Sequence, residues 1–204
     1  MKLSSTEPVD ADLNIRIVPK DRVLDDDIAS LANDENWLVA RVIEGGGATP
    51  DEFIVSTQDK QSFVHWISDP KINVVYLLAN GPRRAALAEV VRAAFGAYSV
   101  PEVIEMAHAA TDRVSRMRAI YYLALLAPDE FDDSIFQVFK SYTAADDPEV
   151  RGATVLAVSY IGWRRFEEIL TPIAKDDADS SVRRDAATLL DNMKKYPAKS
   201  VVPR

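Results

Sequence analysis

The sequence predicts an α+β protein: a small antiparallel sheet with helices in the N-terminal half, followed by a right-handed α-solenoid of about three helix pairs. Two observations carry this. From about residue 101 onward, apolar residues recur at helical spacing in units of about 30 residues, as they do when helix pairs stack. Before them lie three short segments rich in β-branched and aromatic residues, separated by turn formers. The composition changes near residue 98, which gives an N-terminal α+β region 1–98, a helical repeat region 99–195 and a flexible tail 196–204.

In chain order, Asp25, Asp26 and Asp27 form the acidic first turn of a helix that carries Leu24, Ile28 and Leu31. Residues 37–43 read as a second apolar helical stretch, stopped by Gly45-Gly46-Gly47. The strand-like segments 53–57, 62–68 and 72–79 follow, with Asp59-Lys60 and Asp69-Pro70 in the gaps. They read as a three-stranded antiparallel meander, which residues 14–18 would extend. A competing reading makes Asp69-Pro70-Lys71-Ile72 the start of a further repeat helix; the strand chemistry favours the sheet. Pro82 then opens a helix whose face Leu87, Val90, Val91 and Phe95 covers one side of that sheet.

The repeats are countable. In the leading helix of each pair, Val103, Met106, Ala107 and Ala110 are followed by Ile135, Val138, Phe139 and Tyr142, then by Phe166, Ile169, Leu170 and Ile173. In the trailing helix, Val150, Thr154, Val158 and Ile161 align with Val182, Ala186, Leu190 and Met193, with Arg151 and Arg183 in register. The earliest copy admits two registers, one through Arg116 and one through Arg118.

An acidic turn followed by Asp147-Pro148-Glu149-Val150-Arg151, and again by Asp179-Ser180-Ser181-Val182-Arg183, resembles the HEAT-repeat family over about residues 101–195. The resemblance implies a structural ladder of turn aspartates and helix arginines, Asp147 with Arg151 and Asp179 with Arg183, with Asp112 as the turn acid of the first copy. It also implies an inner surface lined by the trailing helices. On or just after those helices lie Tyr121, Tyr122, Tyr160, Trp163, Arg164 and Arg165. Large aromatics and arginines supply most interface hot spots, so Tyr122, Tyr160, Trp163, Arg164 and Arg165 are candidate partner contacts, while Tyr121 suits the gap between repeats.

Composition narrows the function. With 204 residues, 48% apolar and 27% charged, the chain has material for one or two ordinary cores. The absence of cysteine excludes disulfides, thiolate metal sites and cysteine nucleophiles. Residues 1–7 lack a signal-peptide apolar run, and the longest apolar stretch, 119–128, is too short to span a bilayer, so a soluble cytoplasmic protein is expected. The net charge of −8 is uneven: residues 1–80 hold 14 acids and 7 bases, the remainder 18 acids and 17 bases. Beyond capping a helix, Asp25, Asp26 and Asp27 therefore suit a surface for a basic protein partner. Phosphate backbones would be repelled, which argues against nucleic acid as a partner.

Catalytic and metal-binding patterns are missing from the sequence, and no cofactor is expected. His65 and His108 have neither a second histidine nor a carboxylate at helical metal-binding spacing, and HEAT-like metalloenzymes resembling deoxyhypusine hydroxylase need His-Glu pairs. Gly45-Gly46-Gly47 lacks the lysine of a phosphate loop, and Asn80-Gly81-Pro82-Arg83-Arg84 reads as a turn into a helix. The pairs Asp132-Asp133, Glu167-Glu168 and Asp176-Asp177 read as solvated turn or helix acids. A non-enzymatic protein-binding module follows, sharpest as an immunity protein that occludes a basic bacterial toxin domain. A general scaffold or adaptor is the alternative. Bilin lyase-like and alkylpurine DNA glycosylase-like enzymes rank below both, for want of a chromophore pocket or a basic groove.

Overall fold

A computed structural model describes residues 14–195; the readings of residues 1–7 and of the tail 196–204 lie outside the described residues. The chain divides after Tyr98 into two compact units. Among the described residues, no helix is long and apolar enough to cross a membrane.

The first unit is a five-stranded antiparallel sheet with two helices. Strands β1 (Ile15–Ile17), β2 (Leu38–Ile43), β3 (Asp51–Ser56), β4 (Phe63–Asp69) and β5 (Val74–Asn80) lie in the order β1-β5-β4-β3-β2. Helices α1 (Asp25–Asp34) and α2 (Arg84–Phe95) pack on this sheet. The expected meander is β3-β4-β5, and β1 extends it along β5. Side chains alternate across the pleat, so Val55, Val64, Leu77 and Ala79 share one face and build the core with Ile28, Leu87 and Val91. Trp66 closes one corner, its indole N–H donating to the Val23 carbonyl at 2.9 Å.

The turn between β3 and β4 leaves no room for a side chain at Gly81, where φ is +87° and a Cβ would sit 2.2 Å from the Gln61 carbonyl oxygen. Close approach of two backbones, rather than a ligand, explains that glycine.

The helical reading of residues 37–43 is overturned: they form β2. Helix α1 ends in the left-handed Asn36, φ 54°, and the chain then doubles back as an edge strand. Val39, Val42 and Ile43 are β-branched and fit a pleat better than a helix. An edge strand open to solvent has no buried-exposed alternation, which erased the signal that marks the other strands.

Among the described residues, the second unit contains six α-helices: α3 (Val100–Ala109), α4 (Arg113–Leu126), α5 (Asp133–Tyr142), α6 (Pro148–Val158), α7 (Glu167–Asp176) and α8 (Ser180–Lys195). Five of their starts are specified by side-chain caps, α7 being the exception. Ser99 and Glu102 form a reciprocal capping box on α3, while Asp112, Asp132, Asp147 and Asp179 accept from first-turn amides of α4, α5, α6 and α8. Helix α3 packs on α4 and α7 on α8, α5 contacts α3, α4 and α6, and α4, α6 and α8 pack side by side. Phe139, Phe166, Ile135, Leu123 and Leu170 are fully enclosed, and the Tyr142 hydroxyl ties α5 to α3 through the Ala107 carbonyl at 2.7 Å.

Candidate protein-binding face

The arginines on the trailing helices make a frame that carries the exposed face of α4, α6 and α8. Arg116, Arg151 and Arg183 each donate to the carbonyl six residues earlier, of Ala110, Ala145 and Asp177. Each also lies four residues after the cap aspartate of its helix. This shared geometry selects Arg116 over Arg118 as the first copy's equivalent.

The ladder runs between repeats with other partners than the resemblance implied. Asp147 pairs with Arg113, Nε to Oδ2 2.6 Å, and Arg151 pairs with Asp177 through two parallel bonds of 2.7 and 2.8 Å. Neither Asp147–Arg151 nor Asp179–Arg183 is a direct pair, because the Asp147 and Asp179 carboxylates are turned to the amides of Glu149, Ser181 and Val182. The Arg151 guanidinium holds the Asp177 carboxyl below the ordinary carboxylate range. The reading of Asp177 as a solvated turn acid is corrected accordingly: its side chain is 4% exposed and that of Arg151 12%.

Removing the arginine strands a buried carboxylate. Arg151→Ala is expected to lower the stability of the helical unit by about 2 to 3 kcal/mol. Because the folded Asp177 value lies below the unfolded one, its contribution is complete above about pH 4 and is lost as pH falls through the folded value. Urea unfolding between pH 2 and 6 should therefore show a shallower acid loss in the variant than in the parent. An unchanged slope would remove the pair from the frame. The Arg113–Asp147 pair is open to solvent, so Arg113→Ala should leave the melting temperature nearly unchanged.

Between these framed helices runs a groove of about 420 Å³, floored by Gly152, Ala153 and Leu156 of α6 and walled by Met117 and Tyr121 of α4 and by Asp185 and Leu189 of α8. Glu149, Asp179 and Asp185 give one end acidic character. A second concavity continues past Ser159, Leu189 and Asn192 to Gly162 and Arg164. Gly152 stands in the interior of α6, where glycine costs roughly 0.5 to 1 kcal/mol relative to alanine. A Cβ there would meet the Val182 Cγ2 at 3.7 Å, an ordinary contact, so helix packing does not demand glycine. What the missing methyl provides is depth in the groove floor.

No family model, curated protein or solved structure matches the chain. The site is accordingly read from its own geometry.

The sequence candidates fare differently. Tyr122 and Tyr160 are half-buried, and Arg164 and Arg165 are exposed, each paired along its own helical turn with Glu167 or Glu168. Arg164 lines the far end of the groove. Trp163 is corrected from contact to core: it is 6% exposed, stacks on Phe166 at 5.6 Å and donates to the Pro128 and Asp129 carbonyls. Tyr121 is 6% exposed and its burial raises its hydroxyl pKa, in keeping with a filler at the groove wall.

Asp25, Asp26 and Asp27 lie exposed in the first turn of α1 in the other unit. Asp27 accepts from the Leu24 amide at 2.8 Å, a capping role that leaves Asp25 and Asp26 facing solvent.

Two features escaped the sequence reading. Gly152 resembles any small residue in a repeat, and only the groove distinguishes it. His65 contacts Glu52 at 3.2 Å and Asn80 at 3.0 Å on the sheet face opposite α1 and α2, a cross-strand trio that needs the register to be seen. Among the described residues no group of three or more histidine or acidic side chains is placed to hold a metal.

Proposed function

We propose that this chain is a non-enzymatic protein-binding module that acts by occlusion: a cytoplasmic immunity-type inhibitor of a basic toxin domain, built on a HEAT-like right-handed solenoid. The carrying observation is the groove between α4, α6 and α8, kept deep by a helix-interior glycine that packing does not require. Its apolar floor and acidic end suit a protein segment with apolar side chains and a basic end. The acid excess of residues 1–80 supports a basic partner from the other unit.

The test is co-expression with the product of the adjacent reading frame. Relief of toxicity together with a stoichiometric complex is the expected result, and toxicity without a complex would sink the reading. In that complex, association should be fast at low salt and slow as salt rises, since an acidic field is screened over about 10 Å at 0.1 M ionic strength. Asp25, Asp26 and Asp27 replaced together by asparagine should slow association by about tenfold at low salt and leave dissociation unchanged. Stopped-flow rates that ignore both salt and the substitutions would remove the charge from the mechanism.

A further inference from the structure

The outer edge of the sheet is β2, and it is unusually apolar for an edge. Val39 and Val42 are each 60% exposed. In a regular strand, residues three apart point to opposite faces. Here the register shifts between Val39 and Arg41, a bulge at Ala40, so Val39 lies opposite Val55 and Val42 opposite Phe53. Both exposed valines therefore stand on the face that carries the core, left open to solvent although α1 contacts this strand.

The acidic turn of α1 belongs to the same corner. Trp66 lies opposite Phe53, and Phe53 opposite Val42, so these three form one row across β4, β3 and β2. The Trp66 backbone lies two strand spacings, about 10 Å, from that of Val42, and its indole bond to the Val23 carbonyl ties the chain entering α1 to that row. Leu24, itself 42% exposed, and Asp25 to Asp27 follow directly. Natural edges are blunted by lysine, proline or short length. This one offers six residues without proline; its one charge, Arg41, lies opposite Ile54 on the other face of the sheet, the bulge at Ala40 interrupts it, and its outward backbone groups have no strand partner among the described residues.

We propose that the β2 edge is a strand-addition site for an extended segment of a basic protein, with apolar side chains over Val39 and Val42 and lysine or arginine toward Asp25, Asp26 and Asp27. Charge selects this occupant over a second copy of the chain, because pairing two β2 edges would bring together two units that each carry the acid excess. The inference rests on the reading of a basic partner but uses a surface distinct from the groove.

The test is amide hydrogen exchange by NMR on the full chain, with a short blocked peptide of alternating lysine and valine as probe and its glutamate–valine counterpart as control. With the lysine peptide at about ten times its Kd, the outward amides of β2 should exchange about tenfold more slowly. Val42→Lys, at an exposed position that should not disturb folding, should weaken that response at least about tenfold through charge repulsion and lost apolar contact. Gly152→Ala should leave it intact. Absence of protection, equal protection by the glutamate peptide, or protection that grows with protein concentration without peptide would each overturn the proposal, the last by assigning the edge to self-association. Protection that persists when the co-expression test fails would retain the edge site and discard the inhibitor reading.

Discussion

Replacing Trp163 with alanine is expected to lower the stability of the helical unit by about 3 to 5 kcal/mol, the range for truncating a buried large aromatic. The side chain makes two ring contacts within one aromatic cluster. It stacks on Phe166 with the rings 8° from parallel, meets Phe131 edge-on at 5.3 Å, and Phe166 in turn touches Phe136 and Phe139. Its indole N–H also closes the loop at Pro128 and Asp129. Removal would leave a void beside Phe166, which is fully enclosed, and would take from Phe131, 46% exposed, one of its ring contacts while leaving the one with Phe136. Trp163→Phe keeps most of the stacking and loses the indole bonds, so it should cost distinctly less. Thermal and urea unfolding followed by far-UV circular dichroism measure both. If Trp163→Ala unfolds like the parent but loses the partner, the residue is an interface anchor after all and the aromatic cluster is not what holds this turn.

The parts of the fold legible in the sequence are those where one physical signal dominates. The strands β3, β4 and β5 have buried faces, β-branched residues and turn chemistry at Asp59-Lys60 and Asp69-Pro70, and all three cues agree. In the second unit, α4, α5, α6 and α8 combine aspartate caps with apolar periodicity. Strand β2 failed because a strand with both faces open carries no alternation, and its apolar residues then mimic a short helix. The ladder failed for a different reason. A spacing of Asp and Arg tells which residues sit at the turn, not which carboxylate is free after the caps are filled. Asp147 is spent on the Glu149 amide and on Arg113, so Arg151 reaches Asp177 instead, a neighbour that sequence treats as surface. Trp163 was misplaced because a large aromatic after a helix reads equally as anchor or core, and only its three-dimensional neighbours decide. The arginine register shows the reverse case, in which a backbone bond six residues back separates Arg116 from Arg118 at once.

Gly152→Ala should stabilise the protein while weakening its binding, two effects of opposite sign from one methyl group. Within α6, alanine is favoured over glycine by about 1 kcal/mol, and the added Cβ meets Val182 at an ordinary 3.7 Å, so folding gains without strain. On the groove side, the same methyl takes up space in the floor beside Val182. A segment seated there must lift or repack, a penalty of about 1 to 3 kcal/mol for overpacking a fitted contact, which corresponds to an affinity loss of about 5- to 150-fold. Most of it should lie in dissociation, since the charges that steer encounter are untouched. Melting temperature by calorimetry and rates by surface plasmon resonance with the co-expressed partner provide the two readings. A more stable variant that binds as well as the parent would move the binding face away from α6. A less stable variant would mean that glycine is required by packing, and the argument for a groove held open at Gly152 would lose its basis.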